Sequence, residues 1–203
     1  ERGLENLDKH IENLKLFNFS PIVAINKFHT DSDEEIQIVK NYCESIGVKV
    51  SLVEAWAKGG EGAEELAKLV SEAADRCKTC FKPLYDFGWT VEQKIETIAT
   101  KVYGAKNVEY SLQAKKDIEK INELGLAKLP VCIAKTQKSL SDDPSKKGRP
   151  RDFTVKIREI EIAAGAGFVI PIAGTIMRMP GLPEIPSAEI IDIDKEGNIS
   201  GLF

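Results

Sequence analysis

The chain has 203 residues, with 28 Lys and Arg against 32 Asp and Glu, a net charge of −4 at pH 7. Hydrophobic residues make up 42% and charged residues 30%, the balance of an ordinary globular chain, long enough for one large domain or two small ones. An acidic chain lacks the basic surface of a general nucleic-acid binder. No apolar run approaches the ~18 residues of a membrane-spanning helix, and no signal peptide is visible.

Leu4, Leu7, Ile11, Leu14 and Phe17 recur at three- and four-residue steps, which predicts an amphipathic helix. Pro21–Ile25 is an apolar run that predicts a buried strand. Asp33 is placed to cap the next helix, with Ile36, Val39, Tyr42 and Cys43 on its buried face and Gly47 ending it. Val48–Val53 predicts a second strand, Lys58-Gly59-Gly60-Glu61-Gly62 a flexible turn, and Ala63–Arg76 a helix. Strands alternating with helices imply parallel βαβ units. In such sheets ligands bind beyond the carboxyl ends of the strands.

The second half reads differently. Residues 77–88, with Pro83 and Gly88, read as a connector. Helices are expected over Thr90–Val102, with Thr90 as N-cap, and over Leu112–Leu124, stopped by Gly125. Pro130–Ala134 predicts a short strand. In Thr154–Ile162 the residues Val155, Ile157, Ile160 and Ile162 alternate with charges around one irregularity, as in a half-buried strand. The last residues, AEIIDID, KEGN and ISGLF, predict a hairpin.

The stretch AINKFHTD (residues 24–31) puts an aromatic, Phe28, just past the first strand. Trp56 follows the second strand in the same way. Two readings stand. The rings cap the core under loops, or they face a flat heteroaromatic ligand, where a good stack contributes roughly 1–3 kcal/mol. Asn26-Lys27 resembles the start of the guanine-reading Asn-Lys-x-Asp motif, but His29 stands where the aspartate belongs and Asp31 comes two residues late. Gly59-Gly60-Glu61-Gly62 precedes a helix and offers N–H groups to an anion. It is not a P-loop, because no G-x-x-x-x-G-K-[ST] run occurs in the chain.

Of the four cysteines, Cys43 and Cys132 read as core residues. Cys77-x-x-Cys80 has the spacing of half a zinc site without a second pair, so no metal is assigned. A reducing, cytoplasmic compartment fits this usage. Lys146, Lys147, Arg149 and Arg151 cluster within six residues, as a solvated mobile loop or as an attractor of polyanions. Ser139, Ser141, Asp142 and Asp143 read as turn formers rather than a nucleophilic triad, since no histidine is near. Met179-Pro180-Gly181-Leu182-Pro183 is rigid and apolar, either a pocket wall or a linker.

Four stretches, AINKFHTD, EAWAKGGEGAEELA, LPVCIAKTQKSLSDDP and GFVIPIAGTIMRMPGLPEIPSAEIIDID, together resemble the formate–tetrahydrofolate ligases, in the family's order and over essentially the whole chain. The resemblance implies a reaction in which ATP phosphorylates formate and the N10 amine of tetrahydrofolate takes up the formyl group. It implies ATP with Mg2+, a monovalent cation, tetrahydrofolate as substrate and a homo-oligomer. It implies a pterin sandwiched between Phe28 and Trp56, with Leu52 beside them. A nucleotide-binding role for Asn26 and Lys27, or a purely oligomerising scaffold, is the alternative. The catalytic groups and the P-loop are expected in an N-terminal part not among these residues, so the chain is expected to be the C-terminal portion of the ligase and inactive alone. The fold expected is α/β. Residues 1–80 would supply parallel βαβ units of an incomplete P-loop-type nucleotide-binding domain, with an exposed sheet edge. Residues 81–203 would form a smaller α/β domain.

Overall fold

The computed structural model describes residues 3–76, 81–176 and 184–201. The fold is α/β, with one parallel two-stranded sheet, one mixed three-stranded sheet and a terminal hairpin. Cys77, Cys80 and the stretch Met179 to Pro183 lie outside the described residues.

In the first region, helix α1 (Leu4–Leu16) precedes strand β1 (Ile22–Asn26), helix α2 (Asp33–Ser45) and strand β2 (Lys49–Val53). The strands pair in parallel, Val23 opposite Val50 and Asn26 opposite Val53. The α2 cap is Ser32, not Asp33. Its side chain accepts from the Glu35 N–H, and the Glu35 carboxylate accepts from the Ser32 N–H in return. This reciprocal box satisfies two orphan donors at once, so Asp33 is left in the first helical turn. Gly47 ends the helix at φ +67°, the left-handed conformation glycine adopts without strain.

Ile11, Cys43 and Val48 form a small buried cluster, with Leu7, Val23, Val39, Ile46 and Val50 packed against it. After β2 the chain does not make a flexible turn. Ala55–Lys58 form a helical turn, α3, and Gly59–Ala63 continue as a 3-10 turn into helix α4 (Glu64–Arg76). The helical path is open because Gly62 has no side chain: a Cβ there would stand 2.5 Å from the carbonyl carbon and oxygen of Glu54.

The second region carries helix α5 (Val91–Thr97), running on as a π turn through Val102, then strand β3 (Asn107–Tyr110), helix α6 (Leu112–Glu123), β4 (Thr154–Ala163) and β5 (Phe168–Ala173). Thr90 caps α5 with Gln93 in another reciprocal box. β3 lies parallel to β4, and β4 antiparallel to β5, with a register shift between Ile157 and Glu159. That bulge is the irregularity in the apolar alternation; it re-aims the side chains so that Val155, Ile157 and Ile160 all reach the core. Val91, Ile95, Ala114, Ile118, Ile121, Phe153 and Val169 are among its other members.

The expected strand at 130–134 is reduced to two bridges on β5, at Val131 and Ala134. The Cys132 N–H donates to the Val169 carbonyl (2.9 Å) and the Ala134 N–H to the Pro171 carbonyl (2.8 Å). Between them, a continuous parallel ladder needs an N–H from residue 171, and proline has none. Cys132 is exposed, contrary to the core assignment, whereas Cys43 is buried as expected. The terminal hairpin joins β6 (Asp192–Ile193) to β7 (Ile199–Ser200).

α1 joins the two regions by its polar side chains. Lys9 Nζ donates to the Lys101 carbonyl (2.6 Å) and Asn13 Nδ2 to the Val102 carbonyl (2.9 Å), the open carbonyls of the π turn. Lys9 and Asn13 are therefore buried while Leu14 is exposed, which displaces the expected apolar face.

Candidate functional site

β1 and β2 end side by side, and everything of chemical interest in the first region follows those ends. One more ladder bond, from the Lys27 N–H to the Val53 carbonyl (2.9 Å), holds the exit of β1 against that of β2. A tight turn then forms. The Phe28 N–H donates to Asp31 Oδ2 (2.8 Å), and the Asp31 N–H donates to the Phe28 carbonyl (3.1 Å). The Phe28 ring, 46% exposed, stands at the start of this turn.

On the β2 side, the Glu54 N–H donates to the Gly62 carbonyl (2.9 Å), which folds α3 and the glycine turn back over the strand end. Trp56 emerges from α3 with 74% of its surface exposed. Its indole meets the His29 imidazole, with centroids 6.4 Å apart and the planes tilted by 31°. Leu52, half-buried, is the register partner of Ile25 one step before the strand ends. Phe28, Leu52 and Trp56 thus belong to the same end of the same sheet, and neither aromatic ring is sunk in a core. His29 is a neighbour the sequence reading used only as a mismatch in a nucleotide motif.

The charges around this end are paired. Lys27 Nζ stands 3.2 Å from Asp33 Oδ1, and Asn26 is exposed. Lys58 Nζ lies 2.6 Å from Glu54 Oε2. The Lys58 hydrogen bond holds the Glu54 carboxyl below the usual carboxylate range, and the same bond raises Lys58. Beneath the sheet, the buried Ser51 hydroxyl donates to Glu65 Oε2 (2.7 Å), pinning α4 to β2. Among the described residues, no group of three or more His, Cys, Asp and Glu stands close enough to hold a metal ion. With no P-loop run either, the residues described do not fit a Mg·ATP site.

The basic cluster is not a free loop. Arg149 reaches Asp8 Oδ2 (2.8 Å) and Glu12 Oε2 (2.7 Å), while Asn6 Nδ2 donates to the Gly148 carbonyl (2.7 Å) and Arg151 stands 3.7 Å from Glu5. Lys146 lies over the Phe153 ring, 5.9 Å from its centroid. The carboxylates of α1 occur at positions 5, 8 and 12, one helical face, and that spacing is the signal that would have paired the two segments. Ser139, Ser141 and Asp143 do build a turn: the Ser141 N–H donates to Ser139 Oγ (3.0 Å) and the Asp143 N–H to Ser141 Oγ (3.1 Å).

The parallel sheet thus carries two exposed aromatic rings just beyond adjacent strand ends, and two of the flanking ion pairs, Lys27–Asp33 and Lys58–Glu54, lie beside them. The whole chain, residues 1–203, matches the family model described as formate–tetrahydrofolate ligase. The chain belongs to that family, and its activity class is therefore that of a ligase acting on formate and tetrahydrofolate.

Proposed function

We propose that this chain supplies the folate-binding part of the ligase and that the pterin of tetrahydrofolate lies between Phe28 and Trp56, with Leu52 as an apolar contact. The observation that supports this most directly is the exposure of both rings at adjacent strand ends. A ring left 74% exposed, like Trp56, contributes little to folding and much to a stack. Stacking holds a planar pterin without committing a charge. Holding N10 toward an activated formyl group makes the transfer effectively unimolecular, worth up to ~7–11 kcal/mol of barrier when the geometry is right.

The ATP phosphates, Mg2+ and the monovalent cation are assigned to residues beyond these 203, since the sequence has no P-loop run and no carboxylate cluster occurs among the described residues. On this reading the 203-residue chain alone makes no 10-formyltetrahydrofolate. Residues 1–80 would be the closing βαβ units of the nucleotide- and folate-binding domain, and residues 81–203 a smaller domain. A homo-oligomer, located in the cytoplasm, completes the proposal.

The test is tetrahydrofolate binding by tryptophan fluorescence, with Trp89 as the internal reference. Trp56→Ala and Phe28→Ala are each expected to weaken binding ten-fold or more, and Asn26→Ala less than two-fold. Loss of binding in Asn26→Ala with retention in the ring variants would favour the nucleotide-module alternative instead.

A further inference from the structure

The geometry points to His29 as the positioning residue of the Trp56 indole, restricting the movement of a ring that stacks on the pterin. This rests on the reading of Phe28 and Trp56 as the folate platform and deepens it.

The argument begins with what α3 does not do. It has four residues, Ala55–Lys58, too few to build a helix that orders itself. Its side chains take their orientation from neighbours. Trp56 is 74% exposed. An exposed indole exchanges rotamers on the picosecond-to-nanosecond timescale, and a ligand that stacks on it must first arrest it. A ring already aimed binds better than one that must be caught.

The turn after β1 is the opposite kind of structure. Lys27 is tethered to Val53, and Phe28 and Asp31 exchange two hydrogen bonds, 2.8 and 3.1 Å. His29 lies inside that turn, so its backbone has no independent freedom. Its ring reaches Trp56 at 6.4 Å between centroids with a 31° tilt. This is within the separation of offset aromatic pairs. Phe28 and His29 are consecutive, so one locked turn serves both rings of the platform. Phe28 offers its own face, and His29 fixes the face of the other ring.

The experiment uses the full ligase chain and three readings. First, His29→Ala raises the KM for tetrahydrofolate three- to ten-fold while the KM for formate stays within two-fold. Second, in a background where Trp56 is left as the single tryptophan of the chain, its fluorescence anisotropy falls in His29→Ala. Third, His29→Phe, which keeps a ring at that place, restores both to within two-fold of the parent. A merely structural role would not move the anisotropy or separate the two KM values. An unchanged KM with unchanged Trp56 anisotropy overturns the inference. Tighter tetrahydrofolate binding in His29→Ala also overturns it, because His29 would then be competing for the indole face. If Trp56→Ala and Phe28→Ala leave the tetrahydrofolate KM unmoved, it is the platform reading that fails. If those two weaken binding and His29→Ala does not, only the present inference fails.

Discussion

Around β3, β4 and β5, side chains from α5, α6 and all three strands close into one continuous core that includes Val91, Ile95, Ile121, Val155 and Ile157. Around β1 and β2, among the described residues, the buried cluster is reduced to Ile11, Cys43 and Val48. α4 completes the contrast: Leu66, Leu69 and Ala73 are half-buried, Val70 is exposed, and no residue of the helix is fully buried. The region that displays the aromatic rings is thus the one with least hydrophobic support of its own. The comparison teaches where the order of the site comes from. It comes from backbone locks, such as the Glu54–Gly62 bond and the Phe28–Asp31 turn, and from α1, whose polar side chains fasten the thin region to the thick one.

The largest break in that comparison should come from the thick core. Ile157→Ala removes three carbons from a side chain that is 1% exposed, and we expect a loss of about 2–5 kcal/mol in chemical unfolding. Val70→Ala, on the open face of α4, should stay within about 0.5 kcal/mol. Equal effects would mean that α4 is covered in solution. Next in size is Gly62→Ala. Its Cβ has nowhere to go against the Glu54 carbonyl, and overpacking of this kind costs about 1–3 kcal/mol. Hydrogen exchange should quicken over residues 54–64 while the β4 amides stay protected.

The fastening through α1 should be measurable as a coupling. Arg149→Ala and Glu12→Gln combined in a double-mutant cycle should give about 1 kcal/mol, diminishing between 0.05 and 1 M salt as the pair is screened. No coupling would leave the fastening to Lys9, Asn13 and the remaining α1 contacts of Asn6 and Asp8. The smallest effect concerns the exposed Glu54–Lys58 pair. Glu54 is lowered in the folded chain, so its contribution is present above its unfolded value and is lost as the pH falls through the folded one. Glu54→Gln should lower stability slightly and evenly above pH 6, where the pair contributes, and flatten the acid limb, where that contribution is otherwise lost.

Much of the architecture was legible because apolar runs and caps are local signals. β1 and β2 follow from their apolar runs, β4 from its alternation, and even its bulge from the break between Ile157 and Ile160. What escaped was set by distant partners. Asn107–Tyr110 is a strand because β4 lies beside it, not because NVEY alternates strongly. Lys9 and Asn13 are buried because carbonyls some ninety residues away need donors, which no helical-face pattern reveals. The basic cluster looked mobile because the acidic face that receives it is on another helix. For the site, Phe28 and Trp56 stood out as large rings after strand ends, whereas His29 gained its meaning only from the folded turn.

The position of α1 in the chain also bears on how the molecule assembles. Asp8 and Arg149 are 141 residues apart. At a synthesis rate of ~5–20 residues per second, α1 waits roughly 7–28 s for the arginine that completes its clamp. During that interval β1, α2 and β2 can pair through contacts close in sequence and Lys9 and Asn13 can find the π turn, but the Arg149 clamp is still missing and the open sheet edges stay available to other chains. The nascent chain is therefore most vulnerable to misassembly before the loop at 146–151 emerges. A chaperone dependence that ends with the synthesis of that loop would be its signature.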